Sequence, residues 1–251
     1  MSLFLDLHTL WEAAGAHAPP DRLRALFRAA GVETYDDDGY FVRAPRVAIV
    51  GVGGLPIRLQ AGAPTLLGQP VSVALLRSQI QEMMGFCGFM SYLNPRNRAP
   101  EALAQAMLAQ GHASTAHAVS VNVLVLGFSV AVEPELCCQR DLVHLSRVTV
   151  ARTRAQDDPP MVVHEPGALP LLQAARGQLQ SALPGTQLGR ECRNNLYPAS
   201  KATMVLLSAS LRSFHKLTAA RDDAGKEAEF RRLLHGIHDL LHPLAPELFD
   251  Q

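Results

Sequence analysis

The segment Val119 to Val132 is apolar and rich in β-branched residues, interrupted only by Ser120, Asn122, Gly127 and Ser129. A strand with one wet face alternates polar and apolar side chains, and this one does not. The run therefore predicts a strand buried on both faces, which obliges the rest of the chain to supply a packed layer on either side. A chain of 251 residues with 48% hydrophobic content can do so. It is long enough for one or two domains with a substantial core.

Helical periodicity marks several flanking elements. From Leu10 to Ala30 apolar residues recur at helical spacing, with an interruption at Pro19-Pro20 and a C-cap residue at Gly31. Asp36-Asp37-Asp38-Gly39 predicts a turn between short strands, one ending in Tyr40-Phe41-Val42 and the next beginning at Val47. Residues 1–46 thus read as an N-terminal extension of helix and hairpin, ahead of a domain spanning 47–251. Val71 to Met84 predicts a buried helix, and another runs from about Pro100 to a stop at Gly111. Ala199 to Ala220 predicts a long helix, because Met204, Leu207, Leu211 and Phe214 follow i, i+3, i+7, i+10. On its other side lie Ser208, Arg212, His215 and Lys216. The last helix is predicted over Ala224 to Leu241 with Asp223 as N-cap.

Composition excludes some functions. Lys plus Arg and Asp plus Glu both number 23, so the net charge is zero and no general field attracts nucleic acid. No run reaches the ~20 apolar residues of a membrane helix, and the N-terminus has no secretion-signal pattern. Cys87, Cys137, Cys138 and Cys192 lack C-x-x-C spacing, and the vicinal pair reads as two buried thiols in a reducing cytoplasm. Gly51-Val52-Gly53 follows a strand, but the third glycine of a dinucleotide fingerprint would fall at Pro56; a glycine turn between strands is the expected reading. His235, His238 and His242 share one side of the last helix, as a metal site or as a solvated or packed histidine row. No nucleophile elbow or phosphate loop is present.

The most specific pattern is Ser210-Leu211-Arg212-Ser213-Phe214, with Arg221 nine residues after Arg212 and Glu229 within Lys226-Glu227-Ala228-Glu229-Phe230. It resembles the C-terminal signature of the flavin-dependent thymidylate synthases, Asn-x-Arg-Ser-Leu, a second Arg, then Ala-Gln-x-Glu-Ile. Gly111, His112 and Ser114 match that family's Gly-His-x-Ser/Thr, while His117 and Ala118 replace the Glu-His that closes it. Gly189-Arg190-Glu191-Cys192-Arg193-Asn194-Asn195-Leu196-Tyr197-Pro198 is similar to its Ala-Arg-x-x-Leu-Pro, with one residue inserted. The family's Arg-His-Arg hallmark is replaced by Gln139-Arg140-Asp141, which aligns in two registers. Arg140, Arg147 and Arg152 can also be read as a solvated basic helix face. Asp141 brings a carboxylate where the family handles phosphate and flavin, a repulsive arrangement unless a cation intervenes.

The resemblance covers roughly Val47 to Phe249. It implies an α/β fold of the α+β type, a mixed β-sheet packed by long helices, assembled as a homotetramer with flavin sites between subunits. It further implies transfer of a one-carbon unit from methylenetetrahydrofolate, through reduced FAD, to C5 of dUMP or an analogue, with NADPH as reductant. On the matching positions Arg193 and Arg221 would contact the nucleotide, with Arg221 also stabilising charge on the activated pyrimidine. Arg140 would serve nucleotide and cofactor, and Ser114, Ser210, Arg212 and Lys216 the flavin. Alternatives are a flavoenzyme of this fold retuned to another substrate, and a non-catalytic scaffold that has lost the flavin site.

Overall fold

The structure, a computed structural model, describes residues 2–17, 21–53, 55–92, 99–139, 144–147, 159–182, 196 and 199–250. The chain opens with helices α1 (Leu7–Gly15) and α2 (Arg22–Ala30), then strands β1 (Glu33–Thr34), β2 (Phe41–Ala44), β3 (Arg46–Val52), β4 (Leu55–Gln60), β5 (Ala63–Leu66) and β6 (Gln69–Pro70). Helices α3 (Val73–Tyr92) and α4 (Pro100–Ala109) precede β7 (Ser120–Ser129), α5 (Glu133–Cys137), β8 (His144–Arg147), β9 (Met161–Val162) and α6 (Leu169–Ala182). The chain closes with β10 (Ala202–Ser210), α7 (Leu211–Thr218), α8 (Ala228–Leu241) and the short α9 (Pro246–Phe249).

This is an α+β architecture. A seven-stranded sheet in the order β6-β5-β4-β3-β7-β10-β8 pairs antiparallel throughout, and a smaller β1-β2-β9 sheet adds one parallel pair, β2 with β9. Strand β7 lies inside the larger sheet, between β3 and β10, and is covered on both faces, as its apolar run requires. Val121, Val123 and Val125 join the core formed with α3, α7 and α8, whereas Leu124 and Leu126 join a second core with Leu10, Leu23 and Phe27 of the arm. The arm comes in close at Gly127, where φ is +76° and an added Cβ would stand 2.9 Å from Val32 Cγ1 and 3.0 Å from Val42 Cγ1. Glycine relieves both the backbone strain and the crowding.

Several expected elements occur, with α2 ending at Gly31 in the left-handed region and α4 followed by Gly111 at φ +79°. The stretch predicted as one helix over Ala199–Ala220 is different: 202–210 is a strand and the helix begins at Leu211. Met204 and Leu206 pack toward the arm, while Val205, Leu207 and Ala209 pack toward the helices. The Ser210 hydroxyl accepts from the Ser213 amide at 3.1 Å, which ends the strand and caps the helix. The basic segment is also not wholly helical, since 144–147 forms the strand that edges the sheet.

At the other end of α7 the Asp223 carboxylate caps a turn at Gly225 rather than α8, which starts at Ala228. Gly53, at φ +59°, turns β3 into β4, and its amide donates to the Ser120 carbonyl at 2.9 Å, so that donor is unavailable to a phosphate. Cys138 is exposed rather than buried. Among the described residues no helix is long and apolar enough to cross a membrane.

Candidate functional site

The segment from β10 through α7 into the 3₁₀ turn Ala219–Asp222 carries Ser210, Arg212, Lys216 and Arg221. Register pairs Ser210 with Ser120 at the start of β7, and the Leu211 amide donates to the Val119 carbonyl at 2.9 Å. Together the pairing and the bond tie the front of α7 to the start of β7. The 3₁₀ turn Ala113–Ala118, which carries exposed Ser114, lies beside α7, and His117 Nδ1 sits 3.1 Å from Ser210 Oγ. Sequence residues 93 positions apart are thereby joined. At this end of the sheet is a cleft of about 170 Å³, bounded by Gly53, Gln79, Met83 and Ser120.

Arg212 Nη1 lies 3.0 Å from His215 Nδ1. A guanidinium only donates, so Nδ1 must accept, and the imidazole must be unprotonated there. The surroundings agree: burial, then the charges of Arg212, Arg221 and His238, hold His215 below the ordinary imidazole range. Phe249 stands between His215 and His238, edge-on to both rings at 5.9 and 5.7 Å. Arg221 donates from Nη1 to the Thr218 carbonyl at 3.2 Å, and its Nε lies 3.6 Å from Asp222 Oδ2. Asp222 also meets His235 at 3.1 Å. Of the histidine row, His235 faces Asp222, whereas His238 and His242, the latter just past α8, pack with ring centroids 5.5 Å apart, His238 meeting Asp239 and His242 meeting Asp250.

Ser210, Arg212 and Arg221 are thus gathered around one short helix, with Lys216 exposed one turn beyond Arg212. Arg140 and Arg193 lie outside the described residues. Glu229, which matches the signature by spacing, is a buried latch. Its carboxylate accepts from the Ser129 amide at 2.7 Å and the Ser129 hydroxyl at 2.5 Å, with His164 Nε2 at 3.3 Å. It fixes the start of α8 to the end of β7. His117 and His215 are contributions that spacing could not assign, because each acquires its role from a tertiary contact. The donor set consists of cations and hydroxyls, which suits phosphate oxygens and pyrimidine carbonyls.

No family model matches the sequence, and no curated protein matches it. Solved structures do share its fold. The flavin-dependent thymidylate synthase ThyX from Helicobacter pylori, complexed with FAD and dUMP, superposes with a TM-score of 0.56 at 14% identity, over 68% of this chain and 93% of that one. A second structure of Helicobacter pylori ThyX with FAD and dUMP gives 0.57 at 15% identity, over 68% and 92%. At this identity the likeness is one of fold.

Proposed function

We propose that this chain is a divergent enzyme of the flavin-dependent thymidylate synthase type. The observation that carries the reading is the seating of Ser210, Arg212 and Arg221 on one strand–helix segment, in a fold that in Helicobacter pylori ThyX accompanies FAD and dUMP. The reaction class is transfer of a one-carbon unit from methylenetetrahydrofolate to C5 of dUMP or an analogue. When bound, FAD supplies the reductive transfer chemistry, with NADPH as the source of electrons.

The residues divide the work by what they have left to donate. Arg212 commits Nη1 to His215 and keeps its other donors for the cofactor's anionic groups, assisted by Lys216, Ser114, Ser210 and, from sequence spacing, Arg140. Arg221 commits Nη1 to a carbonyl and Nε to Asp222, leaving Nη2 for the pyrimidine, where a donor aimed at developing charge is worth on the order of 3 kcal/mol. Arg193 completes the nucleotide contacts. The assembly proposed with this reading is a homotetramer; supporting it, α3 exposes Leu75, Met83, Phe86 and Met90.

The test is the absorbance spectrum of the purified chain with added FAD, before and after dUMP. A bound-flavin spectrum perturbed by dUMP is expected, with Arg212→Ala lowering flavin retention and Arg221→Ala abolishing the perturbation while flavin stays. Flavin held with no response to dUMP favours the retuned flavoenzyme. No retained flavin overturns the reading in favour of the scaffold.

A further inference from the structure

Between the two arm helices and the face of the sheet opposite α7 lies a pocket of about 440 Å³ with no part in the reaction above. α1 contributes Leu10 and Trp11, α2 contributes Leu23 and Leu26, and Leu124 of β7 with Met204 of β10 form the floor. The volume falls within the range of about 300–1,000 Å³ typical of small-molecule sites. Two helices and a sheet make it concave, the shape a small ligand fills. One wall is firmly set: Asp6 caps α1 at the His8 amide (2.8 Å) and accepts from Arg58 Nη1 and the Leu59 amide, both at 3.0 Å.

Arg22 is the one charged side chain among the described residues of this lining. Its Nε donates to the His17 carbonyl at 3.3 Å, and no carboxylate among the described residues pairs with it. Neighbouring Arg24 differs, being bound to Asp21 and stacked 3.8 Å from the Tyr40 ring centroid. An apolar hollow with a single cation spare at its edge is complementary to a molecule with an apolar body and one negative end. We propose that this pocket binds an alkyl monocarboxylate of medium chain length, with the chain on Leu124 and Met204 and the carboxylate on Arg22.

Trp11 is the only tryptophan in the chain and is 78% exposed, so its emission reports on this pocket alone. The full chain is titrated with dodecanoate below its micelle concentration, and in parallel with dodecanol. The expected result is a saturable blue shift with dodecanoate, weakened at least about tenfold by Arg22→Gln, the scale of one charge-assisted contact. Arg22→Gln should leave the weaker dodecanol response unchanged, and Arg22→Glu should exchange dodecanoate for dodecylamine. Absence of a saturable shift overturns the proposal, as does dodecanoate binding indifferent to both Arg22 variants. A shift that follows protein concentration without ligand also overturns it, by making a second copy of the chain the occupant. Flavin absorbance is not read in this titration, so failure here is distinct from failure of the enzymatic reading.

Discussion

His215 is the residue whose ionisation the site controls most directly. It accepts from Arg212, and burial together with neighbouring cations holds it below the ordinary imidazole value. As the pH falls, the unfolded chain therefore takes up a proton before the folded protein does. The stability this group contributes is complete above pH ~6.5, the ordinary value, and is lost as the pH drops through the lower folded value. Melting temperature should accordingly fall more steeply below pH ~6.5 in the native protein than in His215→Gln, which keeps an acceptor for Arg212 but does not titrate. Arg212→Gln should move the His215 midpoint upward in an NMR titration; a midpoint already at or above the ordinary value in the native protein would sink the argument. At this scale Arg212, Ser213, Arg221 and Glu229 are legible in the sequence because their spacing is fixed along one local segment. The His117–Ser210 contact is not, since it joins residues that only the fold brings together. Glu229 is legible by position but not by role, because Ser129 becomes its partner only when β7 and α8 meet.

Strand β10 shows why element type is harder to read than element existence. Met204, Leu207, Leu211 and Phe214 satisfy a helical period, but the continuous apolar stretch Met204–Leu207 also satisfies a strand covered on both faces. Pairing with β7 on one side and β8 on the other decides the matter, and neither is a local property. The local cue to the true boundary is Ser210, a favoured N-cap directly before Leu211. Glycines inside α3 pose the same conflict between local preference and packing. On propensity alone, Gly85→Ala should stabilise this helix by about 1 kcal/mol. An added Cβ would, however, stand 1.9 Å from the Pro100 carbonyl oxygen at the start of α4, and backbone cannot swing aside as a side chain can. Separating the two helices should dominate, at the ~1–3 kcal/mol typical of overpacking. Gly85→Ala is therefore expected to lower the melting temperature, and a variant that melts higher would show that α3 and α4 are not held this closely.

For the whole molecule, the sequence makes the two-faced strand β7 and the α+β class legible, while what covers its outer surfaces is not. The arm illustrates the gap: Leu10, Leu23 and Phe27 enter one core with Leu124 and Leu126, a union that no periodicity within residues 1–46 announces. The exposed side of α3 presents the same question for the proposed assembly. Met83, Phe86 and Met90 are separated by three and four positions, so they share a face, and they are 49, 53 and 56% exposed. Large apolar side chains grouped in this way are costly in water and mark contact surfaces. Met83 also borders the cleft beside Gly53 and Ser120, so a second copy seated on α3 would close over the end of the sheet that carries Ser210. Replacing Phe86 and Met90 together by Glu adds charge to that face without touching a described core residue. The double variant should fold with an unchanged far-UV spectrum and run as a smaller species in light scattering. If flavin sites form between subunits, it should also lose flavin despite intact Arg212 and Arg221. A native protein that is already monomeric, or a variant of undiminished mass, would remove α3 as the assembly face and leave flavin binding to be explained within one subunit.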